Sequence, residues 1–158
     1  MTKEKAAELI AKFWSHTLEF QCISSNGAKD KTNMMANMLA TIMKMDHIEH
    51  DQAKLAKFRD NLAKLILETL EKWGGSYFSF GVDYHPDLIL RDACELSDIK
   101  CDDMCTFPFK TATIISSDNP VDPNSYVGKV RNGYQAEWVV LEDKLFAEDG
   151  HYTGPLNA

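Results

Sequence analysis

The hydrophobic residues of the chain follow two different periods, and the change falls at Gly74-Gly75. Before these glycines they recur every three or four residues, which is typical of amphipathic helices. After them, short runs of aromatic and branched residues alternate with turn-forming residues, which is typical of strands. The pattern therefore predicts an α+β fold, helical over residues 3–73 and mixed β/α over residues 76–146.

Three helices with short connections are predicted in the helical part. The first covers residues 3–24 and should end at residues 24–27, where serine, asparagine and glycine favour a turn. A second helix is expected to follow, capped by Asp30 or Thr32 and carrying a stripe of methionines. We expect the three helices to pack on one another or jointly on a sheet.

The third helix has the clearest pattern. Asp51 is its expected N-cap, and Gly74 is expected to end it. Its broad apolar face consists of Leu55, Phe58, Leu62, Leu65, Ile66, Leu70 and Trp73.

A small, mainly antiparallel sheet is predicted after Gly75, with a short helix over residues 86–97 inserted in it. The predicted strands are residues 77–82, 111–115, 126–131 and 134–141. Asn132-Gly133 predicts a two-residue turn between the last two strands, because both residues readily adopt positive φ angles. The sheet is therefore expected to finish in a tight C-terminal hairpin.

Length and charge limit the function classes. The chain has 158 residues, is 44% hydrophobic and carries a net charge of -7, so one domain over residues 1–158 is expected, with a weakly ordered tail at 150–158. The acidic balance disfavours binding to nucleic acids and anionic membranes. The sequence contains no apolar run long enough to span a bilayer and no secretory signal, so we expect a cytoplasmic protein with reduced cysteines.

The densest polar cluster, around Asp83, His85 and Asp87, is the candidate catalytic site. It lies where a predicted strand meets a predicted helix, a place where side chains converge on a cleft. There His85 would act as a general base oriented by Asp83, or the three side chains would bind a divalent metal. The structural alternative is that Asp83 or His85 caps the helix, Pro86 fixes its first turn and Asp87 complements its dipole.

Two further clusters contain metal-ligand residue types. Residues 46–51 hold two histidines and three carboxylates, but the histidines are not spaced as in a helical zinc motif. Cys94, Cys101 and Cys105 lack the close pairing typical of structural zinc sites, although His85 could join them. The sequence leaves open whether either cluster binds a metal ion. No cofactor is predicted, because the glycine patterns of phosphate-binding and dinucleotide-binding loops are missing from the sequence.

Three other features receive a structural interpretation. His16, on the apolar stripe of the first helix, is expected to be a hydrogen-bonded boundary residue. The methionines of the second helix, Met34, Met35 and Met38 among them, are expected to fill the core instead of lining a groove. Lys54, Lys57 and Lys64 share one face of the third helix. Because this face turns acidic at Glu68 and Glu71, it is expected to be solvated.

The leading functional hypothesis is a small, acidic, cytoplasmic binding protein, an inhibitor or accessory factor that works through protein–protein contacts. The first alternative is a small metal- or histidine-dependent hydrolase that uses Asp83, His85 and Asp87. The second alternative is a homo-oligomeric structural protein, whose hairpin with Tyr134 and Trp138 pairs with another copy. A concave pocket containing His85 would favour the enzyme, and a flat apolar or acidic patch would favour the binding protein.

Overall fold

The fold is known from a computed structural model, which describes residues 1–29, 52–101, 107–108, 110–117, 121–133, 137–148 and 152–154, with side chains only to residue 18 in the first helix. The described elements, in chain order, are α1 (Lys3–Lys29), α2 (Gln52–Lys72), β1 (Tyr77–Val82), α3 (Leu88–Leu96), β2 (Thr111–Ser117), β3 (Tyr126–Asn132), β4 (Val139–Val140) and a 3-10 turn (Asp143–Leu145). The second predicted helix lies outside the described residues.

The strands form one antiparallel sheet in the order β1-β2-β3-β4. The α+β class predicted from the sequence is therefore confirmed. The predicted arrangement is matched in part. One short helix, α3, lies between β1 and β2 as expected, whereas the second of the three predicted N-terminal helices is not among the described elements.

Helix α1 is longer than predicted. It continues through residues 24–27 to Lys29, so the predicted end at this run is wrong. Even glycine costs a helix only about 1 kcal/mol relative to alanine, which makes such a run a weak stop signal.

Helix α2 buries five of the residues on its predicted face: Leu55, Phe58, Leu62, Ile66 and Leu70. Its last residue is Lys72, and Gly74, the residue predicted to cap its C-terminus, has a φ of 95°. The Gly75 N–H donates to the Leu70 carbonyl at 2.8 Å and the Gly74 N–H donates to the Glu71 carbonyl at 3.2 Å, a Schellman arrangement. Trp73 is 67% exposed and does not belong to the buried face, because the helix ends one residue before it.

The core lies between the helices and one face of the sheet, the inner face. Trp14 of α1 is fully buried, and its indole N–H donates to the Thr113 hydroxyl of β2 at 2.9 Å. Helix α1 also passes close to β3 at Gly128, where an added Cβ would lie 3.1 Å from a side-chain carbon of Ile10. These contacts fix α1 against the middle of the sheet.

The C-terminal hairpin is present, but its turn differs from the prediction. Val130 pairs with Val139 and Lys129 with Val140, and β3 continues to Asn132, so residues 133–138 connect the two strands. Asn132 is held in β3 by pairing with Thr111, and neither Asn132 nor Gly133 has a positive φ. A two-residue turn at these positions is therefore excluded.

The described residues near the C-terminus pack onto α1. The ring of Tyr152 is buried and meets Phe13 edge to face at 5.2 Å between ring centroids. Burial raises the pKa of the Tyr152 hydroxyl. In the 3-10 turn, Asp143 accepts a charged hydrogen bond from Lys5 at 2.8 Å, which lowers the pKa of the Asp143 carboxyl.

Candidate functional site

Asp83, His85 and Asp87, the predicted catalytic residues, line one shallow cleft at the C-terminal end of β1. The cleft has a volume of about 480 Å³, and its opposite wall includes Lys110 and Gly133. All three predicted side chains are exposed to solvent. The structure thus brings the predicted residues together, in an open site from which water is not excluded.

Asp87 has a structural role in this cleft. Its carboxylate accepts a hydrogen bond from the Gly81 N–H at 2.8 Å, and its own N–H donates to the Gly81 carbonyl at 2.9 Å. Together with the bridge between Val82 and Pro86, these bonds hold the segment extended beside β1. Helix α3 therefore begins at Leu88, so the predicted start at Pro86 is wrong. Asp87 is the N-cap residue, but its side chain makes no capping hydrogen bond.

Lys110 forms the other wall of the cleft in a strained backbone conformation, with a φ of 53°. Its carbonyl accepts a hydrogen bond from the Gly133 N–H at 2.5 Å, and its ammonium lies 5.5 Å from the centroid of the exposed Tyr84 ring. A cation, two carboxylates and an imidazole thus surround the same open space. This combination can bind a polar ligand, and His85 can exchange a proton with it.

The other predicted clusters contribute less. Residues 46–51, Cys105 and the methionines Met34, Met35 and Met38 lie outside the described residues. Cys94 is buried and Cys101 is partly buried. Within the described ranges, no three histidine, cysteine or carboxylate side chains converge on a point where a metal ion could bind.

The polar face of α2 is partly used for packing against the end of α3. Asn61 donates to the Ser97 hydroxyl at 3.0 Å, and Lys54 lies 3.7 Å from the carboxylate of Asp98. Lys57 and Lys64 are nevertheless exposed and the Asp98 side chain is 98% exposed, so this face is solvated as predicted. His16 is partly buried near Tyr152, at 6.5 Å between ring centroids.

A surface that the sequence analysis did not identify is the second face of the sheet. Thr113 points to the helices, so the alternation of strand side chains directs Ile114 and its neighbours to the opposite side. We call this side the outer face and define it by the side chains of Tyr77, Ser79, Ala112, Ile114, Ser116, Val127, Lys129, Arg131 and Val140. The guanidinium of Arg131 lies over the ring of Trp138, 4.7 Å from its centroid.

The free edge of β1 is a second such surface. The Gly81 N–H and carbonyl bond to Asp87 instead of β2, whereas the Ser76 carbonyl accepts from Ser117 of β2. Because backbone groups alternate along a strand, those of Tyr77 and Ser79 also point away from β2. The side chains of Tyr77 and Ser79 are exposed. Trp73 lies nearby, with its ring centroid 6.0 Å from that of Phe78.

Comparison with known proteins assigns no family to this α+β chain. No family model matches the sequence, no curated protein is significantly similar to it, and no solved structure matches it significantly. A search of the described helices found none with the length and hydrophobicity needed to cross a membrane. The function is therefore inferred from the chemistry of the surfaces.

Proposed function

We propose that this chain is a small binding protein that contacts a protein partner through the outer face of its sheet. The observation that carries this proposal is that the described helices contact the inner face, while Tyr77 and Val140 are exposed on the outer face. Ile114 and Arg131 are half-buried on that face, and Val127 is buried there. Antiparallel sheets commonly leave one face to solvent, but that face is usually polar. Here it mixes aromatic, branched and cationic side chains.

These residue types are those that dominate protein interfaces. Tyrosine, tryptophan and arginine are enriched among the residues that contribute most to binding free energy. Arg131 is stacked on Trp138, which limits its conformational freedom before binding and reduces the entropic cost of association. Tyr77 is 52% exposed and offers a rigid, amphipathic ring.

The charge of the outer face differs from that of the whole chain. Its strand positions carry Lys129 and Arg131 and no carboxylate, whereas the chain has a net charge of -7. A partner surface with carboxylates placed opposite these two cations would be complementary. Two cations on an acidic chain are few for binding a polyanion, so an acidic protein surface suits this face better than single-stranded nucleic acid.

The proposed setting of this activity is the cytoplasm. An inhibitory or accessory role fits a protein that acts by covering a partner's surface, because such a role requires affinity and no chemical step.

Affinity capture tests the proposal. The full chain is immobilised, and the proteins it retains from a native lysate are quantified by mass spectrometry. Lys129→Glu should reduce retention of the partner at least tenfold, because charge reversal at an interface commonly costs about 1.4 kcal/mol or more. Lys57→Glu, the same charge reversal at an exposed position on α2, is the matched control and should retain the partner.

Equal retention by both variants would exclude the outer face as the contact surface. Retention of single-stranded nucleic acid in place of a protein would contradict the proposed class of partner.

The His85 cleft supports a second candidate function, hydrolysis of a small polar substrate. The observation in its favour is that Asp83, His85 and Lys110 line the same concavity of about 480 Å³. Asp87, the third predicted catalytic residue, is less suited to this role, because its carboxylate already accepts a hydrogen bond from the Gly81 N–H. If this function exists, His85→Ala abolishes hydrolysis in a substrate screen and leaves the melting temperature almost unchanged, because His85 is exposed. Full activity in that variant would eliminate His85 as the base.

A further inference from the structure

The unpaired part of the β1 edge is short and has defined ends. Tyr77 and Ser79 point their N–H and carbonyl groups away from β2, and within the described part of the chain these groups have no hydrogen-bond partner. The next outward-pointing residue, Gly81, is already bonded to Asp87 on both its N–H and its carbonyl. A strand that joins this edge would therefore pair with Tyr77 and Ser79 only.

We propose that a second copy of this chain occupies this edge, so that two sheets join through antiparallel pairing of β1 with β1. The open segment is self-complementary. When Tyr77 of one copy lies opposite Ser79 of the other, each outward N–H faces an outward carbonyl, and every open backbone group of both residues is bonded. The two-fold axis then passes between the two copies of Phe78.

The contacts between Gly81 and Asp87 select this register. Moving the two-fold axis by one residue, to Ser79, would place Tyr77 opposite Gly81, whose backbone groups are already bonded. Only the axis at Phe78 uses all the open groups. The segment that closes the end of β1 thus also determines how two copies align.

The side chains beside the edge fit this arrangement. Trp73 and Tyr77, which are 67% and 52% exposed, lie on opposite faces of the sheet next to the open groups. In the dimer the Trp73 rings of both copies approach the two-fold axis beside Phe78, and each Tyr77 ring lies against Ser79 of the other copy. Pairing of the two β1 strands thus covers the rings of Trp73 and Tyr77 on both faces of the joined sheet.

The charge pattern permits self-pairing at this position. Natural edge strands are commonly protected by lysine, proline or a bulge, whereas β1 contains no charged residue and no proline. The two β1 strands therefore meet without like-charge repulsion between their own side chains. Because the joint is short and each copy carries a net charge of -7, the dimer is reversible and strengthens with added salt.

Amide hydrogen exchange of the full chain at increasing protein concentration tests this directly. Exchange at Tyr77 and Ser79 should slow at concentrations where light scattering reports twice the monomer mass. Exchange at Gly81 should not change, because its N–H is bonded to Asp87 within the same copy. This internal control separates edge pairing from a general stabilisation of the fold.

A pair of variants at Ser79 gives an independent test. Ser79→Pro removes an N–H that points away from β2, so the β1–β2 pairing is kept. Each copy then loses one hydrogen-bond donor at the dimer interface. Its dimer dissociation constant should rise roughly thirtyfold, because each lost hydrogen bond corresponds to a factor of about five. Ser79→Ala keeps the N–H and should dimerise like the original chain.

A chain that stays monomeric at millimolar concentration overturns the proposal, as does a dimer in which Tyr77 and Ser79 exchange at the monomer rate. A dimer equally stable in Ser79→Pro and Ser79→Ala places the contact elsewhere, for example at β4. Binding through the outer face is tested separately by Lys129→Glu, so either proposal can fail alone.

Discussion

At the scale of single residues, two glycines are required for different physical reasons. Gly74 has a φ of 95°, and an added Cβ would meet no atom within 4 Å, so only its backbone conformation demands glycine. Gly81 does not have a positive φ, but an added Cβ would collide with the Thr111 carbonyl oxygen and lie 2.7 Å from the Ala112 Cα. One glycine ends a helix, and the other allows β1 and β2 to approach.

This difference predicts unequal effects of the same substitution. Gly74→Ala should lower the free energy of unfolding by roughly 1–2 kcal/mol, the cost of a left-handed conformation for an alanine. Gly81→Ala should lower it by about 3 kcal/mol, because the collision is with backbone that has to move. Urea denaturation measures both, and Ser79→Ala, at an exposed position in the same strand, serves as the control. A smaller effect at Gly81 than at Gly74 would contradict the described packing of β1 on β2.

At the scale of elements, the segment between β1 and α3 closes one end of the sheet edge. Asp87 bonds to Gly81 through both its backbone and its side chain, and Pro86 bridges to Val82. The carboxylate thus acts as a substitute for a neighbouring strand. This role accounts for Asp87 without any catalytic function.

The Asp87 interaction predicts the outcome of a pair of substitutions. Asp87→Ala should lower the free energy of unfolding by about 1–3 kcal/mol, because the buried Gly81 N–H loses its acceptor. Asp87→Asn keeps a side-chain oxygen as acceptor and should recover most of the loss. Thermal or urea unfolding of the two variants measures the difference. Equal stability of Asp87→Ala and the original chain would show that the hydrogen bond contributes nothing and reopen a functional role for Asp87.

The elements also show which physical signals a sequence carries. The apolar face and the end of α2 were predictable because helical periodicity and a glycine at a positive φ are local properties. The length of α1 and the hairpin turn were not, because tertiary pairing, such as that of Asn132 with Thr111, overrides local turn preferences.

The candidate sites also differ in whether local sequence or tertiary structure reveals them. Asp83, His85 and Asp87 were found because they are close in sequence, but the bond from Gly81 to Asp87 depends on the fold. The outer face requires knowledge of strand register, since a shift of one residue moves Lys129 and Arg131 to the other side. The buried position of Tyr152 likewise depends on contacts with Phe13, which is distant in sequence.

At the scale of the whole molecule, the outer face and the β1 edge are the two surfaces that we propose for binding. The core is enclosed between the helices and the inner face, and the outer face and the β1 edge are adjacent, because Tyr77 and Ser79 belong to both. In a dimer joined through β1, the two outer faces would form one continuous surface. A partner that contacts this surface would then bind the dimer more tightly than the monomer, which couples the two proposals without making either depend on the other.

The most direct test of the central claim, that the molecule acts through its outer face and not through the His85 cleft, is one quantitative capture experiment. Lys129→Glu and His85→Ala are compared with the original chain for retention of the same partner from native lysate. We expect Lys129→Glu to lose the partner at least tenfold, by the loss of about 1.4 kcal/mol or more of binding free energy, and His85→Ala to retain it. Loss of the partner in His85→Ala with full retention in Lys129→Glu would contradict the account and assign the function to the cleft.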